Sequence, residues 1–237
     1  MMVGKGINNI DVDIPSDAYD TGKDMPTFKA YLIAIVRDST GKVIKVHKQR
    51  SRSPTANFIG LLLPLTWFNY TGNSYTITNV TGGTCSYKPS IGSTSLDIIY
   101  PNNIHNYPTY LVMIQVGSGS QSNPSSATKL AAPIANGSST GQLVYGSIST
   151  PANITVSGSS AYFYISQAYS NQSGATINIT EIGVVLSLVI TTTVNTGGGN
   201  NDYNCGQVLV WYDVLSSALS IPNGGSVVIY YTFMVNP

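Results

Sequence analysis

Ionisable side chains are scarce in this 237-residue chain. Asp, Glu, Lys and Arg make up 9% of it, histidine occurs only as His47 and His105, glutamate only as Glu181, and cysteine only as Cys85 and Cys205. A typical soluble domain carries about 25% charged residues. Neutral polar groups must therefore cover this surface, and serine, threonine and asparagine together fill 72 positions. The shortage removes most catalytic repertoires, since acids, bases and metal ligands can come from only a handful of positions. Neither cysteine has a second Cys or a His at metal-ligand spacing, which argues against a zinc site, and no cofactor is implied. Long apolar runs are missing too. Leu61 to Leu65 is interrupted by Pro64 and falls far short of the roughly 20 residues that cross a bilayer, so no membrane span is expected. The opening residues lack the apolar stretch of a secretory signal. A net charge of +1 gives no global argument for nucleic acid or an anionic membrane as partner.

The charges that do occur are crowded at one end, with 15 of the 21 in positions 1 to 52. Residues 1–24 mix Gly, Asn and Pro with Asp11, Asp13, Asp17, Asp20 and Asp24, and read as an extended N-terminal arm ahead of a single domain over 25–237. Further on, Lys42, Lys45, His47, Lys48, Arg50 and Arg52 form a basic strip without one acid. Such a strip can contact phosphates, in which case binding to nucleic acid weakens steeply with salt. It can equally be an exposed strand balanced by the acidic arm of a neighbouring copy, an electrostatic clamp between subunits. The two cysteines, 120 positions apart, either form one disulfide closing a long loop or stay as two small buried apolar side chains.

Hydrophobic patterning predicts an all-β fold. Phe28 to Arg37 is apolar, β-branched and aromatic, Asp38-Ser-Thr-Gly41 supplies turn chemistry, and Lys42 to His47 returns as a second strand. Ser53-Pro54 followed by an apolar run fits an N-cap and first helical position, predicting one short helix near 54–63 that breaks before Pro64. Strands follow at Tyr75 to Val80, Leu96 to Tyr100, Tyr110 to Val116, Gln142 to Ile148, Ile154 to Val156 and Ala161 to Tyr169. Ala175 to Thr193 is long enough for two strands, and Gln207 to Leu215 and Ser226 to Val235 complete the series. Short strands without helical connectors point to an antiparallel β-sandwich or jelly roll. The Gly/Ser-rich stretch 117–134 reads as a long ordered loop, with Ser125 or Ser126 capping a turn that tucks Leu130 onto the core. Thr196-Gly-Gly-Gly-Asn-Asn reads as a flexible tip and Asn223-Gly-Gly225 as a tight turn.

Catalytic constellations are hard to assemble. A Ser-His-Asp triad using His105 lacks a Gly-x-Ser-x-Gly elbow. A glycosidase pair would need two of Glu181, Asp97, Asp202 and Asp213 within roughly 5 to 9.5 Å. Gly117-Ser-Gly119 lacks the Lys-Ser/Thr ending of a phosphate loop. Sixteen tyrosines, among them Tyr107, Tyr110, Tyr162, Tyr164, Tyr169, Tyr230 and Tyr231, suit strand packing and also offer a sugar-stacking or protein-contact surface. Six Asn-x-Ser/Thr sequons begin at Asn69, Asn79, Asn136, Asn153, Asn171 and Asn178. Glu181, inside an apolar strand, either faces outward or is buried and satisfied by backbone N–H groups.

Four stretches resemble virion structural proteins of thermophilic archaeal viruses and phages. These are Ala34 to Lys45 with Ser51 to Leu62; Val116-Gly-Ser-Gly with Leu130-Ala-Ala-Pro-Ile134; Tyr169 to Gly183; and Leu209 to Leu215 through Ile221 to Phe233. The resemblance implies a β-sandwich subunit of tail, nozzle, adaptor or spike type. It implies location in the virion, no catalytic residues, and partners that are other copies of the chain and other virion proteins. Edge strands with few charged gatekeepers make oligomerisation the expected outcome. A surface adhesin binding host glycans through Tyr-rich loops is the alternative.

Overall fold

The structure, a computed structural model, describes residues 27–51, 53–66, 75–87, 94–95, 112–150, 154–192 and 201–236. The N-terminal arm with its five aspartates, Arg52, Asp97, His105, the strand expected at Leu96 to Tyr100, and Tyr107 and Tyr110 lie outside the described residues. The glycine-rich tip that begins at Thr196 and the side chain of Asp202 lie outside them too.

Among the described residues, twelve strands and one α-helix follow one another as β1 (Thr27–Arg37), β2 (Val43–Ser51), α1 (Ala56–Thr66), β3 (Tyr75–Thr78), β4 (Thr84–Tyr87), β5 (Thr94–Ser95), β6 (Val112–Gly117), β7 (Val144–Ser149), β8 (Thr155–Ser157), β9 (Ser160–Ser170), β10 (Ile177–Thr192), β11 (Asn201–Ile221) and β12 (Ser226–Asn236). All strand pairings are antiparallel. The first sheet has the order β2-β1-β12-β9-β7, with β8 also on β9. The second has β11-β10, with β5 and β6 along the other side of β10, and β3 pairs β4 as a separate hairpin. The chain is thus an all-β sandwich, as its patterning predicts.

Period-2 alternation builds the core. Leu32, Ala34 and Val36 of β1 and Val227, Ile229 and Tyr231 of β12 meet Ile182 and Val184 of β10 and Val208, Leu215 and Leu219 of β11 in one buried cluster. Burying each such large side chain contributes roughly 1.5–3 kcal/mol. The other face of β1 is covered as well, with Tyr31, Ile33 and Ile35 all buried. A strand covered on both faces needs no polar positions, and this is why Tyr-Leu-Ile-Ala-Ile-Val reads as a continuous apolar run. The turn after β1 is held by Asp38, whose Oδ1 accepts from Thr40 N (2.9 Å), Thr40 Oγ1 (2.6 Å) and Lys42 N (3.0 Å). The Thr40 hydroxyl is the main reason the Asp38 carboxyl sits below its ordinary pKa.

Three local expectations are corrected. The helix starts at Ala56 and continues past Pro64 to Thr66. Ser53 and Pro54 precede it as a short bridge on β11, with Pro54 opposite Trp211. The ladder captures them: Thr55 N donates to Val210 O (3.1 Å), Tyr212 N donates to Ser53 O (3.0 Å), and Thr55 takes the position ahead of the helix. Ala175 to Thr193 holds one 16-residue strand, not two, because irregularities at Ile179/Glu181, Val184/Val185 and Leu188/Val189 let it bend without breaking. The turn in the 117–134 loop is a single 3-10 turn, Pro124–Ser126, with Asn123 at its cap position and the serines inside it. Leu130 packs on the outer face of the second sheet with Ala127, Val185, Leu209 and Tyr212.

Candidate assembly edge

A two-sheet sandwich exposes unpaired backbone groups along its outermost strands, and in this chain most of those edges are closed by specific side chains. Along β11, Asn79 Nδ2 donates to Cys205 O (3.0 Å) and Val80 N to Gln207 O (2.8 Å). Gln49 Nε2 donates to Val214 O (2.9 Å) while its Oε1 accepts from Ser216 N (2.9 Å), and Lys45 Nζ donates to Ala218 O (2.7 Å). Along β6, Gln167 Oε1 accepts from Ile114 N (2.9 Å), Tyr169 OH donates to Ile114 O (2.6 Å), and Ile134 N donates to Val116 O (2.9 Å). On β7, Asn136 Oδ1 accepts from Tyr145 N (3.0 Å).

Two outer strands are left open among the described residues: the three-residue β8, which pairs only β9 and has Val156 71% exposed with Ile154 just before it at 65%, and the longer β2. Strand β2 pairs with β1, and among the described residues no strand lies along its other side. Val43, Ile44 and Val46 are 40%, 49% and 52% exposed there. An accessible strand edge bearing β-branched side chains is a template for a further strand.

The basic strip does not form one face. Strand alternation turns Lys45 and His47 toward β11, where Lys45 Nζ is held by Ser217 Oγ (3.2 Å) and the Ala218 carbonyl. The His47 ring is buried within 3.2 Å of Gln49 Oε1, and burial holds its pKa below the ordinary value, disfavouring its charge. Lys48 and Arg50 are exposed on the other face, and Lys42 lies in the turn.

No family model, curated protein or solved structure matches this chain.

Its two described interior acids are committed to the fold. Glu181 is fully buried under the 117–134 loop, and its carboxylate accepts from Gly119 N (3.2 Å), Ala131 N (2.9 Å), Ala132 N (2.7 Å) and Tyr212 OH (2.7 Å). The buried alternative of the two sequence readings is the observed one. Asp213 faces the core from the opposite side of the sheet, where it accepts from Tyr231 OH (2.8 Å) and the Ser51 hydroxyl; Trp211 Nε1–H in turn donates to Ser51 Oγ. Lying on opposite sheet faces, Glu181 and Asp213 cannot serve as a glycosidase pair. Among the described residues no three His, Cys, Asp or Glu side chains converge as a metal site, and no helix is long and apolar enough to cross a membrane.

Cys85 and Cys205 are bonded, with Cα atoms 5.6 Å apart, and tie the β3-β4 hairpin to β11. Of the tyrosines, Tyr31, Tyr169, Tyr212 and Tyr231 are fully buried, and among those described Tyr164 alone is substantially exposed, at 40%. The residues missed in the sequence are the edge caps Gln49, Asn79 and Gln167. Their one signal is a polar side chain at an inward-facing strand or turn position.

Proposed function

We propose that this protein is a non-enzymatic structural subunit of a virus particle, joining copies of itself and other virion proteins through the β2 edge and its N-terminal arm. The carrying observation is the contrast between edges: β6 and β11 are closed by dedicated hydrogen bonds, whereas the nine-residue β2 presents Val43, Ile44 and Val46 on a side along which no strand lies among the described residues. The virion setting draws on the four stretches that resemble virion structural proteins. The sparse, neutral surface and the commitment of Glu181 and Asp213 to the interior favour a structural role over catalysis.

Light scattering with imaging of the purified full chain tests this reading. The double variant Ile44→Lys, Val46→Lys changes only exposed side chains, so it should keep the wild-type circular dichroism spectrum while a discrete wild-type oligomer dissociates. A wild type that stays monomeric across micromolar to millimolar concentration, or a variant that assembles normally, overturns it. Glycan recognition, the second reading, keeps Tyr164 and its partner Tyr230, ring centroids 6.2 Å apart, as a described surface. Saturable glycan binding lost in Tyr164→Ala would favour it.

A further inference from the structure

The sequons are not absorbed by this function, and four of them, beginning at Asn79, Asn136, Asn171 and Asn178, have described side chains. N-glycosylation needs an accessible amide nitrogen, an available hydroxyl two residues on, and a segment that can enter a transferase groove. Asn171 is fully buried, and its Nδ2 donates to Ala175 O (2.7 Å) and Ile221 O (2.8 Å). Asn79 Nδ2 is spent on Cys205 O, and its Oδ1 accepts from the Thr81 hydroxyl (2.8 Å). Asn178 is exposed but lies in the β10 ladder opposite Ser220; Ile179 beside it is fully buried, and the Thr180 hydroxyl donates to Gly119 O (2.7 Å).

Asn136-Gly137-Ser138 differs in its side chains, although its backbone is held by a single bridge to Leu143, with Gly137 N donating to Leu143 O (3.0 Å) and Leu143 N to Ala135 O (3.2 Å). Asn136 and Ser138 are both exposed in the loop that leads to β7, and neither the Asn136 amide nitrogen nor the Ser138 hydroxyl makes a hydrogen bond among the described residues. The carbonyl side alone is used, Oδ1 accepting from Tyr145 N. Asn136 also stands on the rim of a groove of about 360 Å³ between β6 and β7, lined in part by Met113, Pro133, Ile134 and Tyr145.

We propose that Asn136 is an N-glycan acceptor of the folded protein. In the transfer, Asn136 Nδ2 attacks the anomeric carbon of a lipid-pyrophosphate-linked oligosaccharide. The N–C bond forms as the C–O bond to pyrophosphate breaks, the lipid pyrophosphate leaves with the bonding pair, and one Nδ2 proton passes to the transferase base. The amide carbonyl survives, so the bond from Tyr145 N is kept.

The experiment incubates the folded, disulfide-intact full chain with a single-subunit oligosaccharyltransferase and its lipid-linked donor, and maps glycopeptides by mass spectrometry. Asn136 should be occupied while Asn79, Asn171 and Asn178 stay empty. Ser138→Ala, which leaves Asn136 and its Tyr145 bond in place, should remove the glycan at this site, and the reduced, denatured chain should gain occupancy at the other three. A folded chain in which Asn136 stays unmodified, or in which Asn79 or Asn171 is modified, overturns the proposal.

Discussion

Replacing Glu181 by glutamine tests the most concentrated set of hydrogen bonds in the second sheet. The carboxylate receives three backbone N–H groups and one phenol, and glutamine must place an NH₂ where one of the two oxygens stands. At the Oε1 position the NH₂ would face the N–H groups of Gly119 and Ala132; at the Oε2 position it would face Ala131 N–H and the Tyr212 hydroxyl. The second is less costly, since the hydroxyl can rotate to accept, but it takes the partner from Ala131 N–H, whose bond is only half-buried, at about 1 kcal/mol. The two surviving N–H bonds fall from charge-assisted to neutral, about 1 kcal/mol each. Relief of the desolvation of a buried charge offsets part of this. The expected loss is about 2 kcal/mol, or about 4–8 °C in Tm for a chain of this size. Urea and thermal unfolding measure the total, and amide hydrogen exchange locates it: Gly119, Ala131 and Ala132 should exchange faster in the variant while the β1-β12 ladder stays protected. Stability within 0.5 kcal/mol of wild type, with unchanged exchange at those three amides, would refute the reasoning.

Breaking the Cys85–Cys205 bond opens a loop of 120 residues, for which chain entropy gives about 5 kcal/mol; calorimetry of the Cys85→Ser, Cys205→Ser variant should show a Tm lower by about 10–20 °C. Gly117→Ala places a Cβ 2.7 Å from the Ala132 carbonyl and against the Glu181 carboxylate, and should cost about 1–3 kcal/mol. Sharing a partner, it should combine non-additively with Glu181→Gln in a double-mutant cycle. Alkali should destabilise the fold through its tyrosines. Burial pushes Tyr145 up to about 12 from an ordinary value of 10.0 and raises Tyr169, Tyr212 and Tyr231 as well. Above pH 10 the unfolded chain releases protons that the folded chain retains, so stability is full below pH 10 and falls as pH rises toward 12. Phenolate absorbance should then appear together with unfolding, and early ionisation of all tyrosines in a still-folded chain would contradict it.

The sandwich is legible in the sequence because its signals are local. Continuous apolar runs mark β1, Asp38-Ser-Thr-Gly41 marks its turn, and Leu130 marks where the long loop folds back. What long-range register decides is not legible. Lys45 looks like a member of a basic strip until β11 lies beside it with an unpaired carbonyl at Ala218, and Ser53-Pro54 looks like a helix start until Trp211 stands opposite. The fate of the cysteines turns on the hairpin being delivered to β11, a contact made partly by Asn79 and Val80. The scarcity of charge also changes its meaning. Glu181 and Asp213, which look like the last acids of a neutral surface, are interior groups that fasten one loop and one strand.

The pairing of β1 with β12, from Thr27 opposite Asn236 to Arg37 opposite Ser226, has a bearing on biosynthesis. A ribosome adding about 5–20 residues per second delivers β1 many seconds before its second neighbour exists. During that interval the hairpin of β1 and β2 carries an apolar strand with one side of its ladder unfilled. The first sheet therefore closes only after residues 226–236 have been made, and fragments stopping short of them should aggregate, not fold.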